Sequence, residues 1–183
     1  MTAPTDECLV RATLDGEDEA FAGLVRRHKT KVFGIASRFT RNNHELDDLC
    51  QEIFLRAYRS LSKFRGEAPF EHWLSRIAVL ACYDFLRRTR RDRDMVSLDD
   101  HPTVLQSVSD GKNVAAEEAR ELLQWAMAQI LPEERLILTL LELEEKSVRE
   151  IAEWTGWSES KVKVRGFRAR QSLQNILKFN RES

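Results

Sequence analysis

The chain has 183 residues, of which 42% are hydrophobic and 32% charged, and its formal net charge at pH 7 is −1. Its longest uninterrupted apolar run, residues 77–83, is far shorter than the roughly 20 residues of a membrane span, and its three cysteines are too few and too scattered for a disulfide framework. These features, with an N-terminus that lacks a basic and apolar leader, exclude membrane insertion and predict a cytoplasmic protein with reduced thiols.

Four histidines are scattered through the sequence, and none has a second His or Cys at the i, i+3 or i+4 spacing of a helical metal site. The sequence also lacks a glycine-rich phosphate loop, a nucleophile elbow and an HExxH pattern. It therefore predicts no cofactor, no metal and no enzymatic activity.

Charge is segregated along the chain although the total is close to zero. Residues 85–93 and 158–170 are strongly basic, whereas residues 95–157 between them carry an excess of carboxylates. Because clustered arginines and lysines suit phosphates, both basic stretches are candidates for nucleic-acid contact.

Few glycines or prolines interrupt the sequence, and apolar residues recur at helical spacing, so an all-α fold is predicted. After the turn "LDGED", the first predicted helix carries an apolar stripe formed by Phe21, Leu24, Val25, Val32, Ile35, Ala36 and Phe39. The second predicted helix carries a stripe formed by Leu46, Leu49, Cys50, Ile53, Phe54 and Ala57. Asn42 and Glu45 form a predicted capping pair for this second helix.

A third major helix is predicted at about 70–90, after the break "FRGEAPFE", and its inward stripe is formed by Phe70, Leu74, Ile77, Ala78, Ala81 and Phe85. Periodicity is lost in residues 93–114, where Asp, Ser, Gly and Pro predict a flexible linker. Helical pattern then returns at about 115–130, 133–144, 147–154 and 158–177. We therefore predict two small helical domains, residues 1–92 and 115–183, joined by that linker.

The outer face of the second predicted helix is acidic and contains Asp47, Asp48, Gln51, Glu52 and Leu55. A solvated surface is one interpretation, because charged outer faces are usual on amphipathic helices. A docking surface for a partner helix is the other, because an exposed leucine beside polar residues suits such an interface.

Cations and aromatic residues alternate after this helix, around a glycine-containing turn, at Arg56, Tyr58, Arg59, Lys63, Phe64, Arg65, Phe70 and Trp73. Rings that stack on bases, with cations that follow a backbone, are typical of single-stranded nucleic-acid sites. Each ring taken alone is more typical of a hydrophobic core. The third predicted helix then ends in five arginines; the helix macrodipole accounts for one or two of them, and the rest favour phosphate binding.

Residues 147–177 have the pattern of a helix-turn-helix. Ala152 lies four residues before Gly156, which can take a positive φ in the turn, and Ile151 and Val162 can pack the two helices together. Ser158 is a favourable N-cap for the second helix. That helix displays side chains able to reach phosphates and guanine edges, namely Ser160, Lys161, Lys163, Arg165 and Arg168. An ordinary helical hairpin with a solvated basic face is the alternative.

Three segments resemble the bacterial extracytoplasmic-function sigma factors of the sigma-70 family, in the same order and at the same separations. They are "DGEDEAFAGLVRRH", "ELDDLCQEIFLRAYRSLSKFRGEAPFEHWLSRIA" and "LPEERLILTLLELEEKSVREIAEWTGWSESKVKVRGFRARQSL". The resemblance covers most of residues 6–175 and implies an alternative sigma factor that directs promoter recognition, promoter melting and transcription initiation. It also implies three partners: core RNA polymerase, promoter DNA and an anti-sigma factor, which is often membrane-tethered.

The resemblance implies a role for each candidate surface. Core polymerase is implied to contact Asp47, Asp48, Gln51, Glu52 and Leu55. The −10 promoter element is implied to contact Arg56, Lys63, Phe64, Arg65, Phe70, Trp73, Arg76, Arg87, Arg88 and Arg90. The −35 element is implied to contact Ser158, Ser160, Lys161, Lys163, Arg165 and Arg168, with Arg170 as a weaker candidate.

Several positions depart from the family pattern. Val79 and Leu80 stand where an asparagine is often found, Lys161 stands where threonine is common, and Gly166 stands where leucine is common. A glycine inside a helix costs about 0.5–1 kcal/mol relative to alanine, so unusual packing is expected there. The promoter sequences that the chain prefers therefore do not follow from the resemblance.

Two other functions are compatible with parts of the sequence. A self-sufficient helix-turn-helix repressor or activator would bind duplex DNA tightly without polymerase, and residues 42–93 would then be a ligand or dimer domain. An enzyme would show turnover of a substrate.

Overall fold

The structure, a computed structural model, describes residues 4–96 and 114–182, and all regular elements within these ranges are helical. The first range forms α1 (Asp6–Leu14), α2 (Asp18–Ser37), α3 (Asn43–Ser60), a 3-10 turn (Leu61–Lys63) and α4 (Phe70–Val96). The second range forms α5 (Val114–Gln129), α6 (Pro132–Leu138), a π-helical turn (Thr139–Leu143), α7 (Val148–Thr155) and α8 (Glu159–Glu182). The predicted all-α fold is confirmed, and most of the predicted linker, residues 93–114, lies outside the described residues.

The chain divides into two compact units between Cys82 and Tyr83. This boundary lies inside α4, so one continuous helix contributes residues to both units. The predicted domain limits, residues 1–92 and 115–183, place the boundary later and stay a prediction. Within the described ranges, no helix is long and apolar enough to cross a lipid bilayer.

The first unit begins with α1, a helix that apolar periodicity did not predict. This helix has nine residues and buries only Val10 and Thr13, so its apolar pattern is too short to recognise. It is held against α2 by Asp6, whose carboxylate accepts a hydrogen bond from Arg27 at 2.5 Å and lies 3.0 Å from the His28 ring nitrogen. These contacts join α1 to residues more than 20 positions away in the sequence, which no local pattern predicts.

α3 forms as the sequence predicts. The Asn42 side-chain oxygen accepts a hydrogen bond from the Glu45 backbone N–H at 2.8 Å, and the Glu45 carboxylate accepts one from the Arg41 backbone N–H at 2.7 Å. The capping pair is confirmed, with the return bond made one residue before the cap. The buried face of α3 consists of Leu46, Leu49, Ile53 and Ala57. The predicted apolar stripe therefore faces the core of the first unit.

The core of the second unit includes residues from α6, α7, α8 and the π-helical turn. The largest fully buried side chains among them are Leu136, Ile137, Leu140, Ile151 and Val162. The helix predicted at 133–144 is present, but it changes from α-helical to π-helical geometry after Leu138. A Cβ atom on Gly166 of α8 would lie 3.0 Å from Leu141 Cδ1 in this turn. The absence of a side chain at Gly166 therefore permits a close approach of α8 to the π-helical turn.

Candidate nucleic-acid and protein interfaces

α3 presents most of its predicted docking residues to solvent. The exposed members of the predicted set are Asp47, Asp48, Gln51 and Leu55. Leu55 retains 39% of its surface, which is high for a leucine on a helix whose other face is fully buried. Asp48 lies 3.0 Å from the His44 ring, and the half-buried Glu52 accepts a hydrogen bond from Arg56 Nε at 2.6 Å. The face therefore combines exposed carboxylates with an accessible apolar side chain.

Cys50 lies beside this face and is partly buried. Burial raises the pKa of its thiol, and the negative charge of Asp47 raises this pKa further. Because the thiolate is the reactive form of cysteine, both effects favour an unreactive thiol at neutral pH. Of the other two cysteines, Cys82 is buried and Cys8 is exposed.

Three aromatic rings form a cluster after α3. Phe64, Phe70 and Trp73 have ring centroids 5.5 Å apart in each pairing, and the His28 ring lies 5.3 Å from that of Phe70. Phe70 is only 2% exposed, whereas Phe64 and Trp73 are partly exposed. Phe70 thus serves as the buried support of the cluster, and the other two rings retain accessible surface.

Cations surround this aromatic cluster. Gly66 takes φ +72° in the turn between the 3-10 segment and α4. Lys63, Arg65 and Arg76 are exposed, and the nearest charged partner of Arg65 is Glu67 at 3.9 Å. The structure therefore groups partly exposed rings with exposed cations in the first unit, as the sequence pattern predicted.

The predicted −10 residues do not all have the same environment. Arg56 pairs with Glu52 on its own helix. Arg87 and Arg88 are exposed in the second unit, with the Arg87 guanidinium 5.7 Å from the centre of the Tyr83 ring. Arg90 is half-buried and donates a hydrogen bond to the Ile130 carbonyl at 3.3 Å. The arginine-rich end of α4 is therefore partly structural, and Arg87 and Arg88 are its exposed predicted contacts.

α7 and α8 form the predicted helix-turn-helix. Gly156 has φ +72°, and its N–H donates to the Ala152 carbonyl at 2.9 Å. Ile151 and Val162 are both fully buried. The predicted turn glycine and the predicted packing residues are thus confirmed in the roles that the sequence pattern assigned to them.

The N-terminal half of α8 holds the residues predicted to contact the −35 element. Ser158 caps the helix by accepting a hydrogen bond from the Lys161 backbone N–H at 3.2 Å, as predicted. The exposed members of the predicted set are Ser158, Ser160, Lys163 and Arg168. Arg170, the weaker candidate, is exposed but pairs with Glu142 through two hydrogen bonds of 2.6 and 3.0 Å.

Two of the predicted −35 cations contact Glu133 of α6. The Arg165 Nε atom lies 2.9 Å from one Glu133 carboxylate oxygen, and Lys161 Nζ lies 3.5 Å from the other. Lys161 also lies 3.8 Å from the centre of the Trp157 ring. Glu133 therefore partly neutralises the charge of both cations. Sequence reasoning missed Glu133 because it lies far from Lys161 along the chain and no local pattern joins them.

Tyr83 completes this arrangement within the second unit. Its hydroxyl donates a hydrogen bond to Glu133 at 3.1 Å, and its ring meets the Trp157 ring edge-on with a centroid separation of 5.5 Å. Burial raises the pKa of Tyr83, and the adjacent Glu133 charge raises it further. The phenol therefore stays protonated at neutral pH and acts as a hydrogen-bond donor.

Val164 and Phe167 on α8 were also missed as site residues. They retain 50% and 61% of their surface, although both are apolar. The signal that could have found them is the helical period itself, because Val162 and Ala169 mark the buried side of α8 and these two residues lie on the other side.

Comparison with known proteins identifies the family. Residues 24–92 match the family model described as sigma-70 region 2, and residues 120–173 match that of sigma-70 region 4. The chain is 35% identical to the ECF RNA polymerase sigma-E factor of Haemophilus influenzae over 179 residues, which cover 93% of this chain and 94% of that relative. The chain belongs to the extracytoplasmic-function sigma factors of the sigma-70 family. The predicted family is confirmed.

Two solved structures have a similar fold. CnrH, in complex with the cytosolic domain of CnrY, is 25% identical with a TM-score of 0.60, and the match covers 94% of this chain and 97% of that one. The sigma factor RpoE from Bartonella quintana, in complex with the anti-sigma factor NepR, is 19% identical with a TM-score of 0.61, covering 86% and 96%. Because the identity to RpoE of Bartonella quintana is only 19%, this likeness is evidence for the fold alone.

Family membership establishes the class of activity. An extracytoplasmic-function sigma factor is a transcription initiation factor that acts with core RNA polymerase on promoter DNA, and it is not an enzyme. The exposed acidic face of α3 belongs to the segment that matches region 2, and the helix-turn-helix belongs to the segment that matches region 4.

Proposed function

We propose that this sigma factor divides promoter recognition among three surfaces on its two predicted domains, residues 1–92 and 115–183. The exposed face of α3 binds core polymerase, the aromatic cluster with its neighbouring cations captures the −10 strand, and the N-terminal half of α8 reads the −35 element. The observation that carries this proposal is that the first unit displays an exposed acidic ridge on α3, whereas the second unit displays exposed cations on α8.

The docking role of α3 is supported by the composition of its exposed face. Interfaces combine apolar contact with peripheral polar groups, and Leu55 offers that contact beside Asp47 and Asp48. The buried stripe on the opposite face holds α3 in place, so the exposed side chains are displayed from a rigid element. We therefore assign the face as a whole, with Glu52 oriented by Arg56 at its edge.

The −10 role of the aromatic cluster is supported by the partial exposure of Phe64 and Trp73. Separating a base-pair step costs on average about 1.4 kcal/mol, and a base stacked on an aromatic ring recovers about 1–3 kcal/mol. Two accessible rings can therefore offset the opening of one or two steps. The buried Phe70 supports these two rings from the core side. The exposed Lys63 and Arg65 are suited to contact the phosphate backbone of the captured strand.

The position of α8 in the helix-turn-helix supports its −35 role. α8 is the second helix of this motif, and the second helix is the one that usually enters the major groove. Lys163 and Arg168 are exposed and can reach phosphates or guanine edges. Ser158 and Ser160 lie at the helix N-terminus, where N–H groups also favour a phosphate. Lys161 and Arg165 join this set once Glu133 no longer contacts them.

An anti-sigma factor is proposed as the regulator, and the cytoplasm as the location. CnrH forms a complex with the cytosolic domain of CnrY, and RpoE of Bartonella quintana forms one with NepR. By analogy with the former, a cytosolic anti-sigma domain would bind this chain. We place its contact on the exposed face of α3, where it would block polymerase. Purification of the tagged chain from its host tests this: an inhibitor that binds wild type but not a Leu55→Arg variant supports it, and recovery with polymerase alone contradicts it.

The decisive experiment is run-off transcription by purified core polymerase on a library of randomised promoters, with and without this chain. We expect new start sites that share two short elements at a constant spacing. The control is the chain without polymerase on the same library. Start sites identical with and without the chain would contradict the proposal, and tight duplex binding by the chain alone would favour a self-sufficient repressor.

A further inference from the structure

The outward side of α8 has an apolar centre. Val162, Gly166 and Ala169 are buried and define the inward side of this helix. A helix turns by about 100° per residue, so the positions opposite them are those of Val164 and its neighbours one turn away. The outermost line of α8 is formed by Ser160, Val164, Phe167, Arg168 and Gln171, all of which are exposed.

The two apolar side chains on this line do not serve the core. Val164 is 50% exposed and Phe167 is 61% exposed, and they lie three residues apart, which places them side by side on the helix surface. Cationic residues flank the pair, with Lys163 on one side and Arg168 on the other. The only charged group within 4 Å of Lys163 Nζ among the described residues is Glu159, at 3.9 Å.

This combination of an apolar centre and cationic flanks matches one surface in particular. In the major groove of DNA the edges of the bases are polar except for the 5-methyl group of thymine, and phosphates border the groove on both sides. Apolar side chains at the centre of a recognition helix can contact that methyl group while the flanking cations contact phosphates. A protein partner would explain the apolar centre, but it would explain the two flanking cations, Lys163 and Arg168, less directly than DNA does.

We propose that Val164, with Phe167 beside it, is a specificity-determining contact that reads the 5-methyl group of thymine in the −35 element. This inference rests on the proposed role of α8 and deepens it, because it names the base that the centre of the helix selects. The cations Lys161 and Arg165 lie toward Glu133 and away from this centre, so they add affinity at the edge of the contact and not discrimination at its middle.

The test replaces thymidine by deoxyuridine, which lacks only the 5-methyl group, one position at a time on both strands of a selected −35 element. Promoter binding is measured with holoenzyme assembled from the full chain and core polymerase. We expect a loss of about fourfold at one or two adjacent positions, the fold-change that corresponds to about 0.8 kcal/mol for one buried methyl-sized group. All other positions should bind equally with either base.

Two variants assign the effect to Val164. Val164→Ser should bind thymine and uracil promoters equally, whereas Val164→Ile, which keeps an apolar branched side chain, should retain the preference for thymine. Lys163→Ala is the matched control at the neighbouring exposed position, and it should weaken binding to both promoters by the same factor. Because both positions are exposed, the variants should fold as the parent does, which circular dichroism verifies.

Each outcome has one meaning. Equal binding of thymine and uracil promoters by the parent holoenzyme at all −35 positions would overturn the inference while leaving the proposed function intact. A preference for thymine that persists in Val164→Ser would also overturn it, and so would a Val164→Ser variant whose only defect is loss of an inhibitor protein. Absence of promoter binding by the parent holoenzyme on every template would instead contradict the proposed function.

Discussion

α3 and α8 both display a predicted binding surface, but their surfaces are organised differently. On α3 the charged side chains contact neighbours on the same helix, as in the pairs His44–Asp48 and Glu52–Arg56. On α8 Lys163 also has a partner on its own helix, Glu159, but Arg165 pairs with Glu133 in α6 and Arg170 pairs with Glu142 in the π-helical turn. A surface of the first kind is readable from spacing along one helix, whereas the second kind depends on how separate segments pack.

The difference extends to the buried sides of the two helices. α3 presents a continuous stripe of large apolar residues to its core, including Leu46, Leu49 and Ile53. α8 presents small groups at two of its core positions, Gly166 and Ala169. α8 can therefore approach the π-helical turn closely, and the position of its outward side chains depends on that approach.

Reversal of one charge on α3 tests the local surface and should have the largest effect. We expect Asp48→Arg to lower the affinity for core polymerase on the order of 100-fold. A polymerase surface that is complementary to Asp48 would be positive, and two like charges brought together in an interface cost several kcal/mol. Binding of labelled chain to core polymerase measures this. Asp15→Arg, the same change at an exposed position outside α3, is the control and should bind as the parent does. Equal affinity of the two variants would remove Asp48 from the docking surface.

Gly166→Leu tests the close approach of α8. A leucine would introduce a Cβ 3.0 Å from Leu141 Cδ1, and overpacking of this kind costs about 1–3 kcal/mol in the free energy of unfolding. Chemical denaturation followed by circular dichroism measures the loss. Gly34→Leu in α2 is the matched control, because no atom lies within 4 Å of a Cβ there and leucine is the better helix former. A stability change of the same sign in both variants would show that Gly166 has no packing role.

Removal of the α3 cap tests how far this helix stabilises itself. Asn42→Ala deletes the acceptor for the Glu45 backbone N–H, and we expect a loss of about 1 kcal/mol in the free energy of unfolding. Asn42→Asp should restore most of it, because aspartate is an equally good cap. Thermal unfolding of the three proteins provides the comparison. A loss that Asp does not restore would mean that the side chain acts by some contact other than capping.

Neutralising Glu133 tests the nonlocal surface of α8 and should have the smallest effect. Glu133→Gln removes the negative charge beside Lys161 and Arg165, and since partly exposed ion pairs contribute about 0.2–1 kcal/mol, we expect promoter affinity of the holoenzyme to rise about two- to fivefold. The control is Glu142→Gln, which frees Arg170 further along α8. A fall in affinity would show that Glu133 orients the two cations for DNA and does not withhold them.

Much of the architecture was predictable from local patterns. The stripe and cap of α3, the turn at Gly156, the N-cap Ser158 and the packing residues Ile151 and Val162 were all predicted, and so was the family. Each of these signals depends on residues within a few positions of one another. The roles of the individual site residues stay predictions.

Other features were decided only by contacts between residues that are far apart in the sequence. The burial of Phe70 agrees with its place on the predicted inward face of the third helix, but no local pattern predicted the next two features. α1 is stabilised through Asp6 contacts with α2, and the second half of the helix predicted at 133–144 is π-helical, not α-helical.

The sequence by itself determined which segments are helical and which faces carry charge, because those properties arise from residues within one or two helical turns. Tertiary structure decided which cations are paired with carboxylates and why a glycine is tolerated in α8. These outcomes depend on Glu133 meeting Lys161 and Arg165, and on Leu141 meeting Gly166, since packing distances exist only once separate elements have met.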